Sequence, residues 1–198
     1  TGSIDSRVKA NPTYGQSIVS WTGTGATGTV GTGLTSDAEL VIVKGRTTTD
    51  NWSVSTTVVD GSVDGTYLNG TGALNEDWSA RVDPSSSTSN TIGVYNWDDG
   101  NKASTPMIAY AFHSVTGYSK IGSYTGNGST TGPTVTTGFE PAWLMIKRAD
   151  SAGDWAILDN VRNPTNPAQK MLRAQGSDAE NDTANSFTTN FISTGFEV

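Results

Sequence analysis

The sequence predicts an all-β fold built from two tandem β-sandwich modules of jelly-roll or lectin-like type. Three observations support this: the composition, the scarcity of helical signals and an internal repeat. Thr, Ser, Gly and Asn make up nearly half of the 198 residues, and six Trp, six Tyr and five Phe accompany them. β-Branched and aromatic residues separated by Gly and Asn turns are typical of short strands, and this aromatic content is unlike that of disordered chains.

The repeat relates the two halves of the chain at a spacing of 103 residues. Residues 17–25 match residues 120–128, with Trp21 replaced by Tyr124. The match continues downstream after a two-residue shift and returns to the original spacing at Trp52 and Trp155. Agreement over about 40 residues indicates an internal duplication.

Each copy predicts the same succession of strands. An alternating strand around Ile18 meets a Thr-Gly-x-Gly turn, and a second strand runs to Gly33 in the first copy or Gly138 in the second. The apolar runs 40–43 and 143–146 are too short for helices and lack polar alternation, so we expect central strands buried on both faces. A loop and a further strand follow each run, and Trp52 and Trp155 are predicted to pack in the core.

The last strand distinguishes the two copies. Residues 106–115 predict a long strand that ends the first copy, whereas residues 188–198 correspond only to the region around 91–94. We therefore predict an N-terminal arm or strand at 1–13, a first module at 14–116 and an incomplete second module at 117–198. The missing strand is expected from a longer polypeptide, from residues 4–8 or from a neighbouring subunit, because an unpaired edge favours aggregation.

Composition excludes several classes of function. The chain has no Cys, one His and a net charge of −7, with 12 Lys and Arg against 19 Asp and Glu. Thiol chemistry and cysteine-based zinc sites are absent, and scattered basic residues do not predict nucleic-acid binding. We find no apolar run of the roughly 20 residues that a membrane span requires, so we expect no membrane insertion.

Catalytic residues are not predicted. His113 lies in an apolar strand with no partner spacing for a triad or zinc site. The five Glu lie mostly near turns, with Glu39 and Glu140 at corresponding places in the two copies, which favours a structural role over paired glycosidase acids. We expect no enzyme activity.

One segment resembles part of a calcium loop. Asp60, Ser62 and Asp64 match the start of the pattern D-x-S-x-D-G, in which alternate oxygens converge on the ion. Thr71 stands where the bidentate acid belongs, and a glycine-rich hairpin turn explains the same residues. The one cofactor that the sequence indicates is therefore Ca²⁺.

A second segment predicts carbohydrate contact. Trp78 and Trp97 lie in Asp- and Asn-rich surroundings that the repeat does not reproduce. An exposed indole can lie under the apolar face of a sugar while planar polar groups bond the hydroxyls. The candidate ligand-binding residues are Trp97, Asn96, Asp98, Asp99 and Asn101. Alternatively, each Trp packs beneath its own loop.

Many short matches carry a family resemblance across nearly the whole chain, strongest from Ser119 to Trp155. They lie at residues 8–15, 17–23, 108–112, 117–128, 137–143 and 162–164. The chain resembles a duplicated module of uncharacterised function in tail-fibre-like and LamG-like virion proteins of marine tailed phages, such as those of cyanobacteria and SAR11-type bacteria.

The resemblance implies a non-enzymatic structural protein on the virion surface. We expect a tail-fibre, tailspike or appendage module that attaches to host-surface glycans, with other virion subunits as partners and a homo-oligomeric state. The alternatives are a capsid decoration or filament protein without a ligand and, third, a polysaccharide depolymerase. The usual family pattern continues with another strand like residues 107–115.

Overall fold

The computed structural model describes residues 2–86, 90–182 and 187–198. Within these ranges the chain forms antiparallel β-strands and one short 3-10 helix at Pro12–Tyr14. The strands of the first half are β1 Ser6–Asn11, β2 Gln16–Thr22, β3 Gly28–Gly31, β4 Leu40–Gly45, β5 Ser53–Thr56, β6 Asp64–Tyr67, β7 Val82–Asp83, β8 Thr91–Val94 and β9 Pro106–Phe112. Those of the second half are β10 Thr134–Thr136, β11 Trp143–Lys147, β12 Trp155–Asp159, β13 Lys170–Arg173, β14 Asn181–Asp182, β15 Asn190–Ile192 and β16 Gly195–Glu197. The predicted all-β class is confirmed.

The chain divides into two compact units. The first extends to Leu68 and includes Leu74–Val115 and Lys120–Gly122, and the second consists of Asn69–Ala73, Thr116–Ser119 and Ser123–Val198. The first unit therefore contains β1 to β9 and the second β10 to β16. In the described part of the chain, no helix is long and apolar enough to span a membrane.

Two sheets share the core of the first unit. One has the strand order β1-β2-β9-β4-β5-β6, and the other has the order β3-β8-β7. The larger sheet contributes side chains such as Val19, Val41 and Ala109, and the smaller sheet contributes Val30 and Ile92, all completely buried in one cluster. Burial of this apolar surface is the main source of stability.

The second unit repeats this arrangement in reduced form. Its sheets have the orders β11-β12-β13-β14 and β10-β16-β15. Pairing of β11 with β12 reproduces the register of β4 with β5, because Trp143 opposes Asp159 as Leu40 opposes Thr56, each displaced by 103 residues. The predicted duplication is thus matched in strand pairing.

Turn glycines are also preserved between the units. Gly25 and Gly128 have φ values of +67° and +68°, and Gly33 and Gly138 have values of +69° and +88°. Residues with side chains rarely adopt this left-handed region. The Thr-Gly-x-Gly pattern therefore encodes the same backbone bend in both copies.

The apolar strands differ from the prediction of burial on both faces. β4 is central, but its residues alternate between buried and half-buried, with Val41 and Val43 facing the core. β11 is an edge strand, and its first residue, Trp143, is 54% exposed. The prediction was wrong because a continuous apolar run does not reveal whether a second layer covers the outer face.

The N-terminal segment does not supply the missing strand of the second unit, which was one of the alternatives predicted above. β1 pairs with β2 throughout its length, from Ser6 opposite Trp21 to Asn11 opposite Gln16. It is one of the two edge strands of the first unit's large sheet, so residues 4–8 do not complete the second unit. Trp52 also departs from its prediction, because it is only partly buried, whereas Trp155 is 6% exposed.

Candidate functional site

A solvent-open cleft in the first unit contains most of the residues predicted to contact carbohydrate. Its volume is about 410 Å³. The lining side chains come from the loop after β4, from β6, from the segment before β7 and from the turn after β8. They are Asp50, Asn51, Tyr67, Arg81, Asn96, Trp97, Asp98 and Asp99.

Trp97 is the main aromatic surface of the cleft. The residue is 47% exposed, and the Arg81 guanidinium carbon lies 4.2 Å from the centre of one of its rings. Stacking of a cation on an indole is favourable and fixes the ring orientation. The guanidinium therefore covers one face of the indole, while nearly half of the residue remains exposed.

Arg81 is itself held by three other groups. Its Nη1 donates to both carboxylate oxygens of Asp99 at 3.0 Å, and Asp99 is 5% exposed. The guanidinium also lies 4.4 Å from a Trp78 ring centre and 5.7 Å from that of Tyr67. Ion pairing and stacking together leave Arg81 little conformational freedom.

Trp78 forms the floor beneath this cation. It is 4% exposed, its Nε1 donates to Ser53 Oγ at 3.2 Å, and its ring meets Tyr67 edge-on at 5.2 Å. Gly65 on β6 makes this position available, because a Cβ there would overlap the indole. The prediction that Trp78 packs beneath its loop is the one that the structure supports.

The opposite wall is a loop anchored to the central sheet. Lys44 on β4 donates through Nζ to the carbonyl oxygens of Thr48 and Asp50, at 2.8 and 2.5 Å. Lys102 Nζ then lies 3.3 Å from Asp50 Oδ2 and 3.3 Å from Asp98 Oδ2. This single cation therefore connects the wall to the Trp97 turn.

The arrangement favours a neutral, hydroxyl-rich ligand. Acceptors on Asp50 and Asp98 and amides on Asn51 and Asn96 surround the indole, while Arg81 and Lys102 offset most of the carboxylate charge. Mixed donors and acceptors beside an apolar surface match a sugar, whose hydroxyls both donate and accept and whose C–H groups contact the ring.

The prediction that Asn101 contacts a ligand is wrong. The residue is completely buried, and its Oδ1 accepts from Trp21 Nε1 at 2.9 Å and from the Thr24 amide at 3.1 Å. Its Nδ2 donates to Thr24 Oγ1 at 2.8 Å and to the Ala26 carbonyl at 2.6 Å. All of its polar atoms are used inside the fold, a role that sequence spacing did not reveal.

The predicted calcium residues do not form a shared site. Asp60 Oδ1 accepts from the amide and hydroxyl of Ser62 at 2.8 and 2.7 Å, as in a hairpin turn. Asp64 lies in β6 and is 2% exposed; burial raises the pKa of its carboxyl, and the charges of Asp60 and Glu76 act in the same direction. Among the described residues, no group of three or more acidic or His side chains is disposed to bind a metal ion.

Sequence reasoning missed four lining residues, namely Asp50, Asn51, Tyr67 and Arg81. Arg81 follows Trp78 by three residues in an irregular segment, so neither strand nor helix periodicity indicates that its side chain turns back over the ring. Asp50 and Asn51 precede Trp52 in a loop that the repeat identified. The loop carries no motif that would connect it to the Trp97 turn.

The glutamates of the two copies have different surroundings. Glu39 Oε2 accepts from the amide and hydroxyl of Ser114 at 2.6 and 2.5 Å. Glu140 lines a separate cleft of about 190 Å³ in the second unit, beside Asn163 and Asn166. The carbonyl of Ala142 accepts from a β12-side amide as that of Glu39 does from Thr57, so Ala142 is the structural counterpart of Glu39 and the predicted correspondence was wrong.

Together these features define an all-β protein with two related units and an aromatic cleft lined by carboxylates and amides in the first. The chain belongs to the family described as a domain of unknown function (DUF7483), whose profile matches residues 1–198. No curated protein and no solved structure matches the chain.

Proposed function

We propose that this protein is a non-enzymatic virion component made of two related β-sandwich modules, and that the first module attaches the particle to host-surface glycans. The virion assignment is supported by the resemblance to tail-fibre-like proteins of marine phages. On this proposal the protein is exposed at the surface of the particle as a homo-oligomer among other virion subunits.

The observation that carries the glycan assignment is the exposure of Trp97 in the cleft. One face of its indole is covered by Arg81, which Asp99 and Trp78 hold in place. The indole is therefore fixed before a ligand arrives, which lowers the entropy lost on binding.

The charges of the cleft favour binding over hydrolysis. Glycoside hydrolysis needs one carboxyl that stays protonated near neutral pH to protonate the leaving oxygen. Asp99 is paired with Arg81, and Asp50 and Asp98 with Lys102. The hydrogen bond from Thr48, together with Lys102, lowers the pKa of the Asp50 carboxyl. Asp50 is therefore not in the environment of a general acid.

A glycan array with the wild-type protein and the Trp97→Ala variant tests the proposal. We expect the wild type to bind one class of neutral polysaccharide and the variant to bind it at least about tenfold more weakly, because the stacking surface is lost. Asp98→Asn, which retains the ring, is expected to have a smaller effect of the same sign.

Trp143→Ala is the matched control, because Trp143 is also an exposed Trp but belongs to the second unit and does not line the cleft. This variant should bind glycans as the wild type does. Circular dichroism checks that each variant is folded. Absence of glycan binding by the wild type, or equal binding by Trp97→Ala, would contradict the proposal.

A second candidate, a decoration or filament protein without a ligand, is favoured by a different observation. The outer edge of β11 has no strand partner among the described residues, and exposed edges of this kind mediate assembly. Such a protein would bind no glycan on the array, so the experiment above separates the two candidates.

A further inference from the structure

The open edge of β11 has a filled counterpart in the first unit. There, β9 lies between β2 and β4 and pairs with β4 along six residues, from Leu40 opposite Phe112 to Gly45 opposite Met107. β11 occupies the position of β4 in the duplicated register, yet no strand in the described ranges pairs with its outer edge.

The core-facing side chains of β11 are less buried than those of β4, as expected for a strand that lacks a paired strand on one side. Val41 and Val43 on β4 are completely buried, in one cluster with Ala109 and Ala111 of β9. Their counterparts at a spacing of 103, Leu144 and Ile146, are only half-buried. Apolar side chains that face a core but remain partly exposed mark a surface that another element can cover.

The exposure of Trp143 also indicates that a further strand can pair with the outer edge of β11. Its counterpart Leu40 is half-buried and opposes Phe112 of β9, whereas Trp143 is 54% exposed. An edge strand that presents a large aromatic residue and free backbone groups favours addition of a further strand.

We propose that the outer edge of β11 binds an extended segment of a partner polypeptide as an antiparallel strand. The segment has the pattern of β9: small residues at the two positions opposite Leu144 and Ile146, as Ala111 and Ala109 stand opposite Val41 and Val43, and an aromatic residue opposite Trp143, as Phe112 stands opposite Leu40. Backbone hydrogen bonds supply affinity, and the small residues supply selectivity because larger ones would not fit against the core.

A synthetic peptide with the sequence of residues 105–115 tests this proposal in trans on the full chain. We expect saturable binding, slower hydrogen exchange at the amides of residues 143–147 and a blue shift in tryptophan fluorescence. The shift should be missing in Trp143→Phe, which retains an aromatic surface, while the exchange protection persists. The control peptide carries Lys in place of Ala109 and Ala111 and should bind at least about tenfold more weakly, because it would bury two charges.

Two results would overturn the proposal. One is unchanged exchange at residues 143–147 at saturating peptide, or equal protection by the control peptide. The other is strong protection of these amides in the free protein together with a dimer in sedimentation, which would assign the edge to a second copy of the chain. Trp97→Ala should respond to the peptide as the wild type does, so failure of glycan binding and failure of strand binding are distinguishable.

Discussion

At the scale of single residues, the clearest determinant of the cleft is a side chain that no ligand can reach. Asn101 is completely buried and connects Trp21 on β2 to the Thr24–Ala26 turn through four hydrogen bonds. Its backbone amide also donates to the Trp97 carbonyl at 3.0 Å, which closes the turn bearing the indole. A buried amide with all groups paired specifies one local geometry.

Replacing this residue should therefore be costly. We expect Asn101→Ala to lower the free energy of unfolding by about 2–4 kcal/mol, because the Trp21 indole N–H and the Thr24 amide lose their buried acceptor. Urea unfolding measures the change. Asn96→Ala, at an exposed position of the same turn, is the control and should change the value by less than about 0.5 kcal/mol. Similar effects of the two variants would argue against this role for Asn101.

At the scale of elements, β6 shapes the cleft through Gly65, whose missing side chain leaves room for an indole. Trp78 packs over Gly65, and the indole in that position lies beneath the Arg81 guanidinium. β6 is also the last strand of the large sheet, and Gly65 pairs on its outer side with Asn75 through two backbone hydrogen bonds of 3.1 and 2.8 Å. One glycine thus joins the sheet edge to the binding surface.

Gly65→Ala tests this connection. The new methyl group would overlap a rigid indole, so we expect a loss of about 1–3 kcal/mol in the free energy of unfolding and weaker glycan binding as Arg81 and Trp97 shift. Chemical denaturation and the glycan array report the two effects. Gly126→Ala is the control, because a Cβ there meets nothing within 4 Å and Gly126 is not at positive φ. Its stability should remain within about 0.5 kcal/mol of the wild type.

At the scale of the whole molecule, the two units differ in the size of their cores. In the described part of the chain, the first unit's core cluster has thirteen buried apolar residues and the second has five. The second compensates in part with side-chain amides that pair with backbone. Asn166, for example, donates to the Phe191 carbonyl at 2.7 Å and accepts from its amide at 2.9 Å. Because stability increases with the amount of apolar surface buried, we expect the second unit to be less stable than the first.

Hydrogen exchange at increasing urea concentration should resolve this difference. We expect amides of β12 to lose protection at lower urea than those of β9, because fewer apolar contacts oppose opening of the second unit. Mass spectrometry of peptides covering residues 106–112 and 155–159 makes the comparison. A single transition with the same midpoint in both peptides would contradict the expectation.

The sequence was sufficient for the fold class and the repeat, because glycines at positive φ and apolar strands recur in both copies. It also indicated the Trp97 turn, where an aromatic residue stands among Asp and Asn. It could not indicate Arg81 or Asp50, since their contacts depend on how irregular segments return to the sheet. Asn101 was misassigned for a related reason: an amide in a polar turn can face inward or outward, and burial alone decides its role.

The residues that hold the cleft walls in place are different from the exposed residues that a ligand can contact. Lys44 holds the Asp50 wall to β4, and Asn101 holds the Trp97 turn, and neither of these two residues lines the cleft. Asn96 and Asp98 are exposed on that turn, and the ion pair of Asp98 with Lys102 is itself exposed to solvent. Substitutions at these two positions alter the hydrogen-bonding pattern offered to a ligand at little cost to folding. A lineage could therefore acquire new ligand preferences through two exposed side chains while the scaffold stays the same.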